Sequence, residues 1–237
     1  MKLLIAADKT RFHNLKQFAD ELVKYGIEYK LIDDSDIYDA PNILHKYSRW
    51  FKTPKKFQKI ITEFKPDAIF TERYSRFSLL VIKHNIPLWI YMGGDHWTEI
   101  KQFYAKTKIS TFRKIELWYK NKISEKCFRE SEIIFVDDKY MEKIVKNRFP
   151  NKKIGLMFQG IKESEWIENE KMVLKHPCVG LLQRANVWGK TEEMLILPKI
   201  IEAFPEVTFY WAGDGQYRNE ILAKLKITFD DDSIGEY

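Results

Sequence analysis

The stretch PDAIFTERYSRFSLLVIKHNIPLWIYMGGDHW, residues 66–97, decides the fold. An apolar run at 67–71 is followed by Leu79, Leu80 and Ile82 at helical spacing. Pro87 then introduces a second apolar run, LWIYM. Two short, continuously apolar strands separated by a helix read as a parallel pair, because a parallel connection needs a crossover and covers the strands on both faces.

The same alternation extends in both directions. Residues 2–7 read as a first strand, and Phe12, Leu15, Phe18, Ala19, Leu22 and Val23 as a helix that Gly26 ends. Residues 27–32 form a second strand, 33–40 an acidic loop, and 41–64 a helical stretch interrupted at Pro54. Beyond Trp97 come a long helical region over 99–129, a strand at 132–136, a short helix at 138–147 and a strand at 153–158. Residues 161–176 are polar and acidic and read as a linker. A second cycle follows: strand 178–182, helix 191–204, strand 207–211, helix 216–225, and the start of a strand at 227–229. The expected class is α/β, with a Rossmann-like parallel-sheet domain over 1–160, the linker 161–176 and a partial second Rossmann-like domain over 177–237.

Composition agrees with a globular chain: 237 residues, 45% apolar and 31% charged. Cys127 and Cys178 have no metal-binding or disulfide-framework spacing and read as buried thiols. No apolar run is long enough for a signal peptide core or a membrane span, so a cytoplasmic protein is expected. The net charge of +6 divides unevenly: residues 1–160 are net +11 and residues 161–237 net −5. Two stretches concentrate the positive charge among aromatics. Residues 45–59 hold six basic residues and no acid, and 101–129 hold nine basic and two acidic residues. Such a mixture suits an anionic lipid surface or a nucleic acid, or else a solvated helix face whose aromatics turn to the core. In the second stretch Ile109, Phe112, Ile115, Tyr119 and Ile123 also fall at helical spacing, which is the pattern of a core-facing stripe.

In a parallel sheet, ligands bind beyond the carboxyl ends of the strands, so the loops there carry the functional information. In FYWAGDGQYR, residues 209–218, Gly213, Asp214 and Gly215 link a strand to a helix. That is a phosphate-binding arrangement or a tight turn. In GLLQRANVWGK, residues 180–190, Arg184 and Lys190 flank a loop, either as a diphosphate clamp or as two surface cations. Gly93 and Gly94 free the backbone for a ligand. Asp95 and His96 suit hydrogen bonds to sugar hydroxyls or proton transfer, with helix capping as the other role for Asp95. Trp97 offers a stacking face. Glu72 and Arg73 form an ion pair or a binding pair, and Asp8 and His13 bracket the first strand–helix loop. The acidic runs 33–36 and 230–232 lack partner ligands, so no metal site is expected.

The ordered segment VGLLQRANVWGK…IIEAFPEVTFYWAGDGQYR resembles the opening of the nucleotide-sugar domain of retaining GT-B glycosyltransferases of family 4. The segments FKPDAIFTE…NIPLWIYMGGDHW and SEIIFVDDKYMEKIVKNRFPNKKIGLMFQGI are similar to parts of that family's first domain. The resemblance implies transfer of a sugar, with retention, from a UDP- or GDP-linked donor to a glycan or lipid-linked acceptor, with no separate cofactor and no obligatory metal. Arg184 and Lys190 would hold the donor diphosphate, and Gly213, Asp214 and Gly215 would lie by the nucleotide. His96 and Asp95 would be catalytic. Asp8, His13, Glu72, Arg73, Gly93 and Gly94 would line the acceptor side. The family's glutamate pair that holds the donor sugar has no counterpart in 177–237, so the expectation includes a truncated second domain. Two alternatives stand beside transfer: a non-catalytic partner completed by a second chain, and an enzyme like the nucleotide-sugar 2-epimerases, acting without an acceptor. Peripheral association with the cytoplasmic membrane face is expected, and nucleic acid is not an expected partner.

Overall fold

A computed structural model describes residues 1–7, 11–37, 55–72, 76–106, 110–158, 160, 173–186 and 188–225. The chain divides into two compact units, Met1–Glu165 and Trp166–Tyr237.

The described part of the first unit contains β1 (Lys2–Ala6), α1 (Phe12–Val23), β2 (Glu28–Ile32), α2 (Asp34–Ile37), α3 (Lys55–Phe64), β3 (Ala68–Glu72) and α4 (Arg76–Lys83). It continues with β4 (Leu88–Met92), α5 (His96–Lys106), α6 (Thr111–Glu130), β5 (Ile133–Val136), α7 (Lys139–Arg148) and β6 (Lys153–Leu156). The strands form one parallel sheet in the order β2-β1-β3-β4-β5-β6.

Side chains alternate across this sheet with the period of two that extended backbone imposes. On one face Leu3, Ile5, Ala68, Phe70 and Tyr91 pack with Leu15 and Ala19 of α1. On the other, Leu4, Ile69, Ile90, Met92 and Ile134 pack with Phe57 of α3, Phe77 of α4, Trp97 of α5, Phe128 of α6 and Val145 of α7. Both faces of the central strands are therefore apolar, which is why the sequence shows unbroken apolar runs there rather than alternation.

Several expectations shift in detail. The acidic segment expected as a loop contains a helical turn, α2. It is held by reciprocal bonds in which the Asp36 N–H donates to Asp33 Oδ1 at 3.1 Å and the Asp33 N–H to Asp36 Oδ2 at 2.8 Å. The single helical region expected over 99–129 is two helices, α5 and α6, tied where the Tyr104 hydroxyl donates to the Lys114 carbonyl at 3.1 Å. Asp138 caps α7 by accepting from the Met141 N–H at 2.7 Å, and Lys146 and Arg148 in its last turn complement the helix dipole. Cys127 is fully buried, and burial pushes its thiol up to about 12, whereas Cys178 is only half-buried. Of the basic stretch 45–59, only 55–59 is described. There Phe57 is core, while Lys55, Lys56 and Lys59 are exposed.

The second unit contains β7 (Cys178–Leu182), α8 (Trp188–Thr191), a 3₁₀ turn (Glu192–Ile196), α9 (Leu197–Ala203), β8 (Thr208–Ala212) and α10 (Arg218–Leu225). The helix expected over 191–204 is thus broken. Pro198 in the first turn of α9 supplies no N–H and crowds the preceding turn, which tightens to 3₁₀. Strands β7 and β8 pair in parallel from Cys178↔Thr208 to Leu182↔Ala212. Met194, Leu197, Ile221 and Leu225 make the core of this unit. The strand expected at 227–229 lies outside the described residues.

Among the described residues no helix is long and apolar enough to cross a membrane.

Phe128 is 1% exposed, and its ring contacts both Trp97 of α5 and Phe149 just beyond α7. Phe128→Ala is expected to lower stability by about 3–5 kcal/mol, read as a lower urea midpoint with an unchanged slope.

Candidate functional site

The order of strands in the first sheet reverses between β1 and β3, the kind of position beside which ligands bind in parallel sheets. Glu72 ends β3 at that point. Its carboxylate, 13% exposed, pairs with Arg11 at 3.0 Å. From sequence, Glu72 and Arg73 read as an ion pair or a binding pair. The partner found is Arg11, at the start of α1. Parallel pairing of Ala6 with Thr71 brings the ends of β1 and β3 side by side, so the link is one of topology, not of sequence proximity. Asp8 and Arg73 lie outside the described residues. His13 is exposed on the first turn of α1, with Nε2 3.1 Å from Gln17 Nε2.

The loop after β4 is built around its glycines and a cap. Gly94 has φ +145°, a conformation L side chains avoid. Asp95 then starts α5. Its Oδ1 accepts from the Trp97 and Thr98 N–H groups, both at 3.1 Å, and its Oδ2 accepts from the Thr98 hydroxyl at 2.5 Å. This is the capping role weighed for Asp95 from sequence. The His96 ring points inward at 8% exposure, with Nε2 2.8 Å from Ser124 Oγ and the ring against Trp97 and Phe128. Burial lowers its pKa to about 4, against the opposing pull of the Glu125 carboxylate. The imidazole is therefore neutral near pH 7. Trp97 is also interior. Its Nε1 donates to Glu125 Oε1 at 2.8 Å, and the Arg148 guanidinium, ion-paired to the same carboxylate, lies 4.8 Å over its ring. In this conformation Asp95, His96 and Trp97 hold the 93–97 backbone in place from behind.

In the second unit, two loops interlock at the carboxyl ends of β7 and β8. The Ala185 N–H donates to the Asp214 carbonyl at 2.9 Å, and the Tyr217 N–H donates to the Ala185 carbonyl at 3.0 Å. Trp211 Nε1 donates to the Gln183 carbonyl at 2.8 Å, and Gln216 Nε2 donates to the Asn186 carbonyl at 3.0 Å. The approach is close enough to exclude side chains. A Cβ at Gly213 (φ +155°) would stand 2.1 Å from the Gln183 carbonyl oxygen. One at Gly215 (φ +150°) would stand 2.5 Å from the Ala185 carbonyl carbon. The sequence reads these glycines as a phosphate-binding arrangement or a tight turn; in the structure they lie against the 183–186 backbone. Arg184 and Lys190 are both exposed at this edge, and neither makes an ion pair among the described residues. Arg218, beyond the second glycine, lies over the Trp211 ring at 5.9 Å. Among the described residues no three His, Cys, Asp or Glu side chains converge as metal ligands.

Arg11, Ser124, Glu125, Arg148 and the Gln183 and Ala185 carbonyls are not legible in the sequence. Each acts across a long sequence separation, and no local pattern marks it.

No family model matches the chain, and no curated protein matches it in sequence. Solved structures do. A UDP-GlcNAc 2-epimerase from Methanocaldococcus jannaschii matches 95% of this chain and 69% of its own, at TM-score 0.53 and 17% identity. A UDP-GlcNAc 2-epimerase from Neisseria meningitidis, bound to UDP-GlcNAc, matches 95% of this chain and 69% of its own, at TM-score 0.51 and 12% identity. A UDP-glucosyltransferase from Polygonum tinctorium matches 94% of this chain and 68% of its own, at TM-score 0.50 and 10% identity. At such identities the likeness is one of fold: this chain is α/β, Rossmann-like and GT-B-like.

Two outcomes are expected. Gly213→Ala is strained in both backbone conformation and space, and should destabilise the second unit by at least about 1–3 kcal/mol, seen as faster proteolysis within 166–237. For His96, the folded pKa lies below the ordinary 6.5, so the unfolded state binds the extra proton. Its contribution is full above pH 6.5 and is lost as pH falls toward 4, by up to about 3 kcal/mol. His96→Gln should flatten that part of the stability–pH curve.

Proposed function

We propose that this chain binds a nucleotide sugar through its diphosphate, at the carboxyl edge of β7 and β8, and acts as an enzyme on it. The observation that carries this is the backbone-locked loop that presents Arg184, with Lys190 on the α8 turn that follows, both exposed and outside any ion pair among the described residues. Backbone bonds fix the main chain that carries Arg184, and a diphosphate is the dianionic partner that two exposed cations such as Arg184 and Lys190 fit. The nearby Asp214 and Gly215 would border the nucleotide.

The first reading of the chemistry is transfer of the sugar, with retention, to a glycan or lipid-linked acceptor. Arg184 and Lys190 would stabilise the charge that grows on the departing diphosphate. Within the first unit, the residues that would serve the acceptor side are Glu72, Arg11, Gly93 and Gly94, with the neutral His96 and Asp95 fixing the loop after β4. The second reading is epimerisation at C2 of the free nucleotide sugar, and its support is the fold likeness to the UDP-GlcNAc 2-epimerases.

Isothermal titration with UDP, GDP and UDP-GlcNAc tests the binding. Arg184→Ala and Lys190→Ala should each weaken it by roughly 10- to 150-fold, the equivalent of about 1.5–3 kcal/mol for a charge-assisted bond. Absence of heat with every nucleotide, or unchanged affinity in both variants, refutes the proposal. Incubation with UDP-GlcNAc alone, followed by NMR, separates the two chemistries: a C2 epimer formed without acceptor selects epimerisation.

A further inference from the structure

Helix α6 is apolar on two opposite sides. Its inner side is Leu117, Ser124, Cys127 and Phe128, all buried. The stripe picked from sequence spacing is a different one. Of its described side chains only Ile123 is buried, while Ile115 is 60% and Tyr119 40% exposed. Trp118, one position from Tyr119, is 57% exposed. Ile115, Trp118, Tyr119 and Lys122 follow the i, i+3, i+4, i+7 spacing and so share one outward face.

We propose that this outward face of α6 rests on an anionic lipid bilayer. Three large side chains exposed in one patch on a helix are more than scattered surface residues. Their chemistry is that of the bilayer interface: an aliphatic chain to bury, with a Trp and a Tyr whose polar edges remain at the headgroups. The flanking charge is net positive, with Lys126 already paired to Glu130. Lys114, Lys122 and Lys126 are exposed, and the Lys122 ammonium lies 5.8 Å from the Trp118 ring centroid. The acids on the helix surface are already paired: Glu116 with Lys120 at 2.7 Å, Glu130 with Lys126 at 3.8 Å, and Glu125 with Arg148. Over 101–129 the balance is nine basic to two acidic residues. Apolar bulk beneath a lysine fringe is the composition of a helix lying in the interface plane, where buried area and lipid charge add. The surface stands independently of the nucleotide-sugar reading, because its test needs no donor.

Flotation of the full chain with phosphatidylcholine vesicles, with and without phosphatidylglycerol, at low and high salt, tests it. Binding is expected only with phosphatidylglycerol and should fall as salt rises. Lys114→Glu/Lys122→Glu should weaken partitioning by about thirty-fold or more, at about five-fold for each lysine charge removed. Ile115→Ser/Trp118→Ser should abolish the residual binding at high salt. All four positions are exposed, and unchanged thermal melts of both variants establish that they fold. Binding without phosphatidylglycerol dependence, no binding, or equal binding by wild type and both variants overturns the proposal. So does a concentration-dependent dimer that the Ile115/Trp118 variant dissolves while vesicle binding is absent, or tighter binding to duplex DNA than to the anionic vesicles.

Discussion

Strand β1 has no solvent face and no free edge. Leu3, Leu4 and Ile5 are at most 1% exposed, and the strand pairs with β2 on one side and β3 on the other. Everything else in the first unit follows from that constraint. A parallel strand so placed demands helices on both sides, and its polar backbone can be satisfied only by its two neighbours. The strand order therefore reverses beside it, and the Arg11–Glu72 pair sits at the reversal. The location of that reversal is set by topology before any side chain beside it is chosen.

The two candidate regions differ in what holds them. The loop after β4 is held by side chains: the Asp95 cap, His96 on Ser124, and Trp97 between Glu125 and Arg148. The loops after β7 and β8 are held mainly by main-chain bonds and by the two glycines that let the chains touch. The first arrangement spends its most reactive-looking residues on support. The second leaves its cations outward.

The alternation of strands and helices was legible because a run such as LWIYM is too short for a buried helix and too apolar for a loop. Boundaries that depend on one residue, such as the helix broken before Pro198, were less so. The site divides along the same line. The positions of the glycines and of Arg184 and Lys190 at strand ends could be read directly, since each loop follows a strand. The inward turn of His96 could not, because Ser124 and Phe128 lie on a helix far along the chain. The face that α6 buries could not either. Apolar residues lie on both of its sides, so periodicity offers two solutions, and only the packing of Leu117, Cys127 and Phe128 chooses between them.

The interlocked loops of the second unit also bear on how this protein can change. Their shape is written in carbonyls, N–H groups and two missing Cβ atoms. The exposed side chains of Arg184, Asn186, Asp214 and Gln216 are mounted on that frame and, apart from the Gln216 amide and the Asp214 carboxylate bonded to the Gly215 N–H, contribute little to it. Substitutions at the outward positions can alter charge and hydrogen bonding while the backbone stays where it is. Charge and hydrogen-bonding character at this edge are thus free to vary, and the glycines are not.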